Sequence, residues 1–234
     1  MALRKTALVS NEIYHVYNRG VDKRDIFMDD EDRFRFIHDL YEFNNSNPVL
    51  NLGINLKNKF NEVGLPYIKK EPRKPLVEIL VFCIMDNHFH LMLRQVTENG
   101  ITEFMRKLGT GYTNYFNKKY ERSGALFQGR FKSVHIEKDA HLMYLPLYIH
   151  FNPLDFEFPE WREGKLKDYK KAIEFLDSYR WSSYMDYAGQ KNFPSLIKKD
   201  FIMQRLGTEA KFKNEIVAWL KNFDESSVQT VTLE

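Results

Sequence analysis

The stretch Leu76-Val-Glu-Ile-Leu-Val-Phe-Cys-Ile-Met-Asp-Asn-His-Phe-His-Leu-Met-Leu-Arg-Gln95 decides the fold. An apolar run of strand length is followed, after Asp86 and Asn87, by a second run of similar length. Two such runs with so short a connection predict a β-hairpin. Because side chains alternate between the faces of a strand, His88 and His90 point to one face and Phe89 points to the other.

The His88-Phe89-His90 pattern is the first candidate for a functional site. Two imidazoles on one face can supply part of a metal site, and a third ligand has to come from another part of the chain. The alternative interpretation is an ordinary half-exposed strand that carries two histidines and binds no metal.

The order of the remaining elements predicts the fold class. Helical periodicity over 29–43 places Phe34, Ile37 and Leu40 on one face. The order strand, helix, strand, strand, helix, strand, helix is an α+β pattern, which predicts a ferredoxin-like antiparallel sheet with helices on one face. The other predicted elements are strands over 13–18 and 131–136, a helix over 101–120, and a helix from its N-cap Asp139 to Asn152.

Three segments describe the predicted domain organisation. Residues 1–154 form the main domain, and a polar, proline-containing insertion occupies about 44–75, with a short helix near Leu56–Val63. Residues 155–234 form a C-terminal helical extension packed on or beside this domain. Its helices are predicted at 179–187, 200–206 and 209–223.

Composition excludes several classes of protein. The chain has 234 residues, is 43% hydrophobic and carries a net charge of +3, an excess too small to identify a nucleic-acid binder by itself. Cys83 is the single cysteine and lies in an apolar run, so a buried structural thiol is expected. No stretch reads as a signal peptide or membrane span, so a cytoplasmic protein without a membrane partner is expected.

Basic residues are interleaved with aromatic residues in the segment 115–132. This combination suits single-stranded nucleic acid, because cations contact phosphates and rings stack on bases. The alternative is a solvated helix face with aromatic core residues beneath it. The basic residues are Lys118, Lys119, Arg122, Arg130 and Lys132.

Tyr148 and Asn152 are four residues apart, so a helix places them on one face, one turn from each other. If this helix lies beside the histidine strand, Asn152 can supply a third ligand and Tyr148 an attacking oxygen. Nitrogen and oxygen ligands without a thiolate suit Mg²⁺ or Mn²⁺, and Zn²⁺ or Co²⁺ also fit. The simpler alternatives are a core tyrosine and a helix-end residue before Pro153. Pro146 should kink the helix.

Four motifs in order resemble one known family. They are Tyr14-His-Val-Tyr-Asn-Arg-Gly20, Met85-Asp-Asn-His-Phe-His-Leu91, Leu126-Phe-Gln-Gly-Arg-Phe-Lys-Ser133 and Tyr148-Ile-His-Phe-Asn-Pro153. Together they resemble the IS200-like transposases of the single-tyrosine HUH class, and most of all the branch called REP-associated tyrosine transposases. Trp181-Ser-Ser-Tyr184 also resembles that branch.

The resemblance implies an HUH nuclease core that cleaves and rejoins single-stranded DNA, often beside a hairpin or palindromic repeat. It implies His88, His90 and Asn152 as ligands of a divalent metal, Mg²⁺ or Mn²⁺, and Tyr148 as the nucleophile that forms a 5′-phosphotyrosine. The DNA target would lie in the nucleoid, and the protein would act as a monomer or a homodimer. Candidate DNA-binding residues are Arg19, Lys23, Arg24, Tyr112, Tyr115, Arg130 and Lys132.

Three other functions remain open at this point. One is a domesticated protein that binds hairpin DNA without transposition activity. Another is a relaxase or replication initiator of the wider HUH class, which the Tyr-x-x-x-Asn-Pro motif disfavours. The third is a metallohydrolase that uses the two histidines and an activated water.

Overall fold

A four-stranded antiparallel sheet is the centre of the computed structural model, which describes residues 7–47 and 72–223. The spatial order is β2-β3-β1-β4, which is the order of a ferredoxin-like sheet and confirms the predicted fold class. The strands are β1 (Ile13–Arg19), β2 (Val77–Ile84), β3 (His88–Gln95) and β4 (Lys132–His135).

The strand register determines which side chains share a face with the two histidines. Across the β1–β3 pair, Arg19 lies opposite His88 and Tyr17 lies opposite His90. Across the β1–β4 pair, Tyr17 lies opposite Lys132. Directly opposite residues of antiparallel strands project to the same side, so Arg19, Tyr17 and Lys132 surround the histidine pair.

Two helices, α1 (Asp30–Glu42) and α2 (Gly100–Lys119), cover the face to which Phe89 points. Asp29 caps α1 by accepting a 2.9 Å hydrogen bond from the backbone N–H of Asp32. The prediction for α1 was wrong at Phe34, which is 42% exposed. Phe36 packs in the core instead, with its ring 5.0 Å from that of Phe89.

Helix α3 (Asp139–Phe151) lies on the opposite face and carries Tyr148. It continues through Pro146, and every side chain from Leu145 to Phe151 is buried. The predicted cap was wrong, because Asp139 is the first residue of the helix and Lys138 stands at the N-cap position without a side-chain hydrogen bond. A helix this apolar on all sides has to be covered on all sides.

The C-terminal extension provides that cover. After 3-10 turns over Asn152–Phe156 and Pro159–Glu163, it forms α4 (Tyr169–Ser178), α5 (Tyr184–Tyr187), α6 (Asp200–Leu206) and α7 (Glu209–Lys221). Helix α4 was not predicted, and the helix predicted over 179–187 is reduced to its last turn.

The extension is also bonded to the edge of the sheet along β2. The carbonyl of Trp181 accepts from the N–H of Ile84 at 2.9 Å, and the N–H of Ser183 donates to the carbonyl of Phe82 at 3.0 Å. These bonds hold Ser182 in an isolated bridge with Cys83 of β2, which explains the missing helical turns. The two-domain division at 154/155 stays a prediction.

Two sequence predictions lie outside the described residues. These are most of the insertion, including the helix predicted near Leu56–Val63, and the end of the chain beyond Phe223. The described residues include no helix with the length and hydropathy needed to cross a membrane.

Candidate active site

His88 is held by the residue before it. Its Nδ1 lies 2.6 Å from Oδ1 of Asn87, and the Asn87 amide is oriented by a second hydrogen bond from its Nδ2 to the carbonyl of Lys23 at 3.1 Å. An amide oxygen only accepts, so His88 carries its proton on Nδ1. In this tautomer Nε2 carries a lone pair, and a neutral imidazole binds a metal through such a nitrogen.

His90 is completely buried and has a histidine as its partner. Its Nδ1 lies 2.9 Å from Nε2 of His15, a residue of β1 on the same face of the sheet. If His90 donates in this bond, its Nε2 presents a lone pair as in His88. Ligand histidines generally have their second nitrogen fixed in this way, so the pair fits a metal site. The ring centroids of His88 and His90 lie 4.9 Å apart, and the rings are edge to face.

Tyr148 faces this pair from α3. Its ring centroid is 5.8 Å from that of His90, and only 1% of the residue is exposed. Phe223, just beyond α7, stacks on its other side at 6.4 Å. Helix α3 therefore contacts the histidine face of the sheet through Tyr148, as the sequence predicted. The C-terminal extension covers this contact through Phe223.

Asn152 follows Tyr148 by one turn and is also fully buried. Its Nδ2 donates to the Tyr148 carbonyl at 2.7 Å, which orients the amide, and its Oδ1 accepts from Nη2 of Arg162 at 3.1 Å. The described residues hold no cluster of three His, Cys, Asp or Glu that suits a metal. An amide oxygen such as that of Asn152 is a neutral oxygen donor of the kind that hard divalent cations accept.

A cleft of ≈ 230 Å³ opens beside His88. Of the side chains that line it in the described part of the chain, four are cationic and none is acidic. The other described lining residues besides His88 are Tyr17, Asn18, Asn87 and Gln128, and the cations are Arg19, Lys23, Arg130 and Lys132. The structure thus gathers four of the predicted DNA-binding residues next to one predicted metal ligand.

The other three predicted DNA-binding residues lie elsewhere. Arg24 is exposed and donates from Nε to the carbonyl of Val21 at 3.2 Å. Tyr112 is fully buried on the opposite face of the sheet and donates to the carbonyl of Ile26 at 2.6 Å, so base stacking by its ring is contradicted. Tyr115 is half-buried on the same helix and donates to Asp32 at 2.9 Å.

Three residues of the site were not predicted. His15 and Asn87 orient the two histidines, and Arg162 contacts Asn152 and Tyr148. His15 and Asn87 lie inside quoted motifs and share a strand or a turn with the site, so period-two alternation was a usable signal. Arg162 comes from a segment without periodicity, and nothing in the sequence singles it out.

Comparison with known proteins identifies the central part of the chain. Residues 55–152, which include His88, His90, Tyr148 and Asn152, match the model of the family described as Transposase IS200 like. Residues 55–152 are thus similar to the IS200-like transposases. The match confirms the family resemblance seen in the motifs. No curated protein sequence matches the chain.

The fold extends the comparison beyond residues 55–152. The solved structure of a REP-associated tyrosine transposase bound to a REP hairpin matches with a TM-score of 0.51. The match covers 86% of this chain and 93% of that one, at 10% sequence identity. The shared fold therefore includes much of the main domain and of the C-terminal extension.

Proposed function

We propose that this protein is a metal-dependent transposase or endonuclease that cleaves and rejoins single-stranded DNA at hairpin or palindromic repeats. The observation that carries this proposal is the placement of Tyr148 against His90, whose neighbour His88 lines a cleft together with four cations. The similarity to IS200-like transposases and the fold shared with a hairpin-bound REP-associated transposase support it.

The cleft suits the phosphates of a single strand. Arg19, Lys23, Arg130 and Lys132 surround it, and Lys132 Nζ also lies 5.7 Å from the ring of Tyr17. Basic side chains that flank an aromatic ring are typical of sites for single strands. A backbone lying in this cleft would pass directly beside His88.

His88, His90 and Asn152 would hold the divalent cation, for which Mg²⁺ or Mn²⁺ is proposed. Bound there, it would polarise a phosphate oxygen and offset the charge that develops during transfer. The Nδ1 contacts with Asn87 and His15 fit this role, because they occupy the other ring nitrogen of each histidine and leave Nε2 for the cation.

Tyr148 is the proposed nucleophile. Its hydroxyl oxygen attacks the phosphorus, the oxygen–phosphorus bond of a 5′-phosphotyrosine forms, and the bond to the 3′ oxygen breaks. The phenolic proton passes to the solvent, and the 3′ oxygen leaves as a hydroxyl group. Attack by another 3′-hydroxyl reverses the step and joins strands, so no ATP or water is consumed.

A hairpin-DNA-binding protein without cleavage activity is the second candidate. It is favoured by one observation: Tyr148 is 1% exposed under Phe223, whereas the basic cleft is open. A phosphate reaches the hydroxyl only if this cover shifts. Binding without cleavage is the expected behaviour if it does not shift.

Replacing Tyr148 by Phe separates the two candidates. The substrates are single-stranded oligonucleotides that contain palindromic repeats from the DNA around the gene, with Mg²⁺ or Mn²⁺. We expect Tyr148→Phe to bind this DNA normally and to lose both cleavage and the covalent adduct. Tyr144→Phe is the matched control, because Tyr144 lies one turn earlier on α3 and is 39% exposed.

Each other outcome selects a different function. Cleavage retained by Tyr148→Phe would indicate an activated water and a metallohydrolase. Hairpin binding without cleavage by the wild-type protein, with either metal, would select the DNA-binding candidate.

A further inference from the structure

Arg162 is fixed in place by an acidic neighbour. It lies in the 3-10 turn Pro159–Glu163, where its Nε donates to Oδ1 of Asp155 at 2.9 Å and its Nη2 donates to Oδ2 at 2.7 Å. Trp161 donates to the same carboxylate at 2.7 Å. A bidentate contact between a guanidinium and a carboxylate fixes the plane of the guanidinium.

The same guanidinium reaches both ends of the last turn of α3. Its Nη2 donates to Oδ1 of Asn152 at 3.1 Å, and its Cζ lies 5.4 Å from the ring centroid of Tyr148. Burial lowers the pKa of Arg162, but hydrogen bonds to Asp155 and to the Tyr148 side chain and the charges of both groups raise it overall. An arginine side chain keeps its proton in proteins, so a cation lies beside the Tyr148 side chain.

We propose that Arg162 is a catalytic residue that stabilises negative charge on the hydroxyl oxygen of Tyr148 during strand cleavage and rejoining. This inference rests on the proposed function. A fixed donor aimed at the atom where charge develops costs no reorganisation during the reaction, which makes such groups effective. The guanidinium keeps its proton throughout.

The charge appears on the tyrosine oxygen in both directions. In cleavage, the oxygen loses its proton and forms the bond to phosphorus while the bond to the 3′ oxygen breaks. In rejoining, the 3′-hydroxyl attacks, the bond between phosphorus and the tyrosine oxygen breaks, and that oxygen takes a proton from the solvent. Before cleavage and after rejoining, Arg162 lies beside the Tyr148 side chain, with its Cζ 5.4 Å from the ring centroid.

A purely structural role for Arg162 makes different predictions. Its bonds to Asp155 also close the turn that follows α3, so loss of Arg162 could simply loosen the turn. Loosening would weaken metal and DNA binding together with catalysis. A charge-stabilising role would lower the rate at saturating DNA and leave binding unchanged.

The test compares wild type, Arg162→Ala and Arg162→Lys in single-turnover formation of the covalent adduct. We expect Arg162→Ala to form the adduct about 100-fold more slowly at saturating DNA, with little change in the half-saturating DNA concentration. Added guanidinium chloride should restore part of this rate, and sodium chloride at equal ionic strength should not. Arg205→Ala, which removes an exposed arginine of α6, should react as wild type.

A binding measurement completes the test. Mn²⁺ affinity, followed by electron paramagnetic resonance, should be equal or higher in Arg162→Ala, because a neighbouring cation has been removed. Reduced Mn²⁺ and DNA binding, or an unchanged adduct rate, would overturn the inference. If Arg162→Ala does not fold, Arg162→Lys is judged by the same rate and affinity measurements.

These results are distinct from failure of the proposed function. No adduct with wild-type protein would refute the proposed chemistry. An adduct formed equally fast by wild type and by Arg162→Ala would refute only the role of Arg162.

Discussion

Lys132 and Lys118 carry the same charge in different surroundings. Lys132 begins the edge strand β4 and lines the cleft beside His88, whereas Lys118 is exposed near the end of α2, on the opposite face of the sheet. Both belong to the basic and aromatic segment of the sequence. The structure therefore divides that segment into a part that faces the cleft and a part that faces away.

This division predicts different salt dependence for two charge-matched variants. Lys132→Ala should weaken single-stranded DNA binding and reduce the slope of log K against log salt by about 0.7, because one phosphate contact is lost. Lys118→Ala should leave the slope unchanged. Fluorescence anisotropy over a range of salt concentrations measures both. Equal slopes for the two variants would place the DNA on a different surface.

The residues of the candidate site differ in how far the sequence could predict them. His88 with His90, and Tyr148 with Asn152, are local pairs, and strand or helix spacing alone places each pair on one face. Arg162 joins them through tertiary contacts that no local period encodes. Tyr112 was misassigned because the aromatic face of an amphipathic helix can pack in the core as readily as it can stack on a base.

Two glycines inside α2, Gly109 and Gly111, have opposite surroundings. A Cβ built on Gly109 meets nothing within 4 Å, whereas one built on Gly111 overlaps the ring of Phe43. Helical glycine costs conformational entropy at both positions, but only Gly111 is required by close packing. The sequence alone does not distinguish the two positions.

Alanine substitutions should therefore have opposite effects. Gly109→Ala should raise the free energy of unfolding by about 0.5–1 kcal/mol. Gly111→Ala should lower it by about 1–3 kcal/mol, since Phe43 has to move. Urea denaturation measures both values. Stabilisation by Gly111→Ala would mean that Phe43 moves away without cost.

At the scale of the elements, the sequence was most informative where the periodicity was strong. Strand β3 and helix α6 have the predicted bounds, β1 differs by one residue at one end, and α2 differs by one residue at each end. The prediction failed at 169–187, where tertiary bonds decide the structure. Tyr179 donates to the carbonyl of Ile84 at 2.6 Å, and such a bond to a distant strand leaves no local pattern.

For the molecule as a whole, the extension completes the sheet as well as enclosing α3. Strand β2 is at one edge of the sheet, and its outward groups bond to the extension at several points. The Tyr187 hydroxyl donates to the carbonyl of Leu80 at 2.9 Å, and the N–H of Lys198 donates to that of Ile79 at 2.8 Å. An edge covered in this way is protected from pairing with other chains.

The cover over β2 has a consequence for thiol chemistry. Cys83, the single cysteine, is completely buried on β2 opposite Ser182 of the extension. Burial raises the pKa of its thiol, and the charge of Asp155 raises it further. Since the thiolate is the reactive form, a disulfide reagent in solution can modify Cys83 only after the extension has separated from the strand.

Labelling of Cys83 thus reports how often the extension separates from β2. Because backbone bonds join the extension to β2, we expect labelling in increasing urea to report the same opening free energy as the circular dichroism of global unfolding. Tyr179→Phe should lower both values equally. Labelling at much lower urea would mean that the extension lifts from an intact sheet, and would make this thiol a direct measure of how often Tyr148 is uncovered.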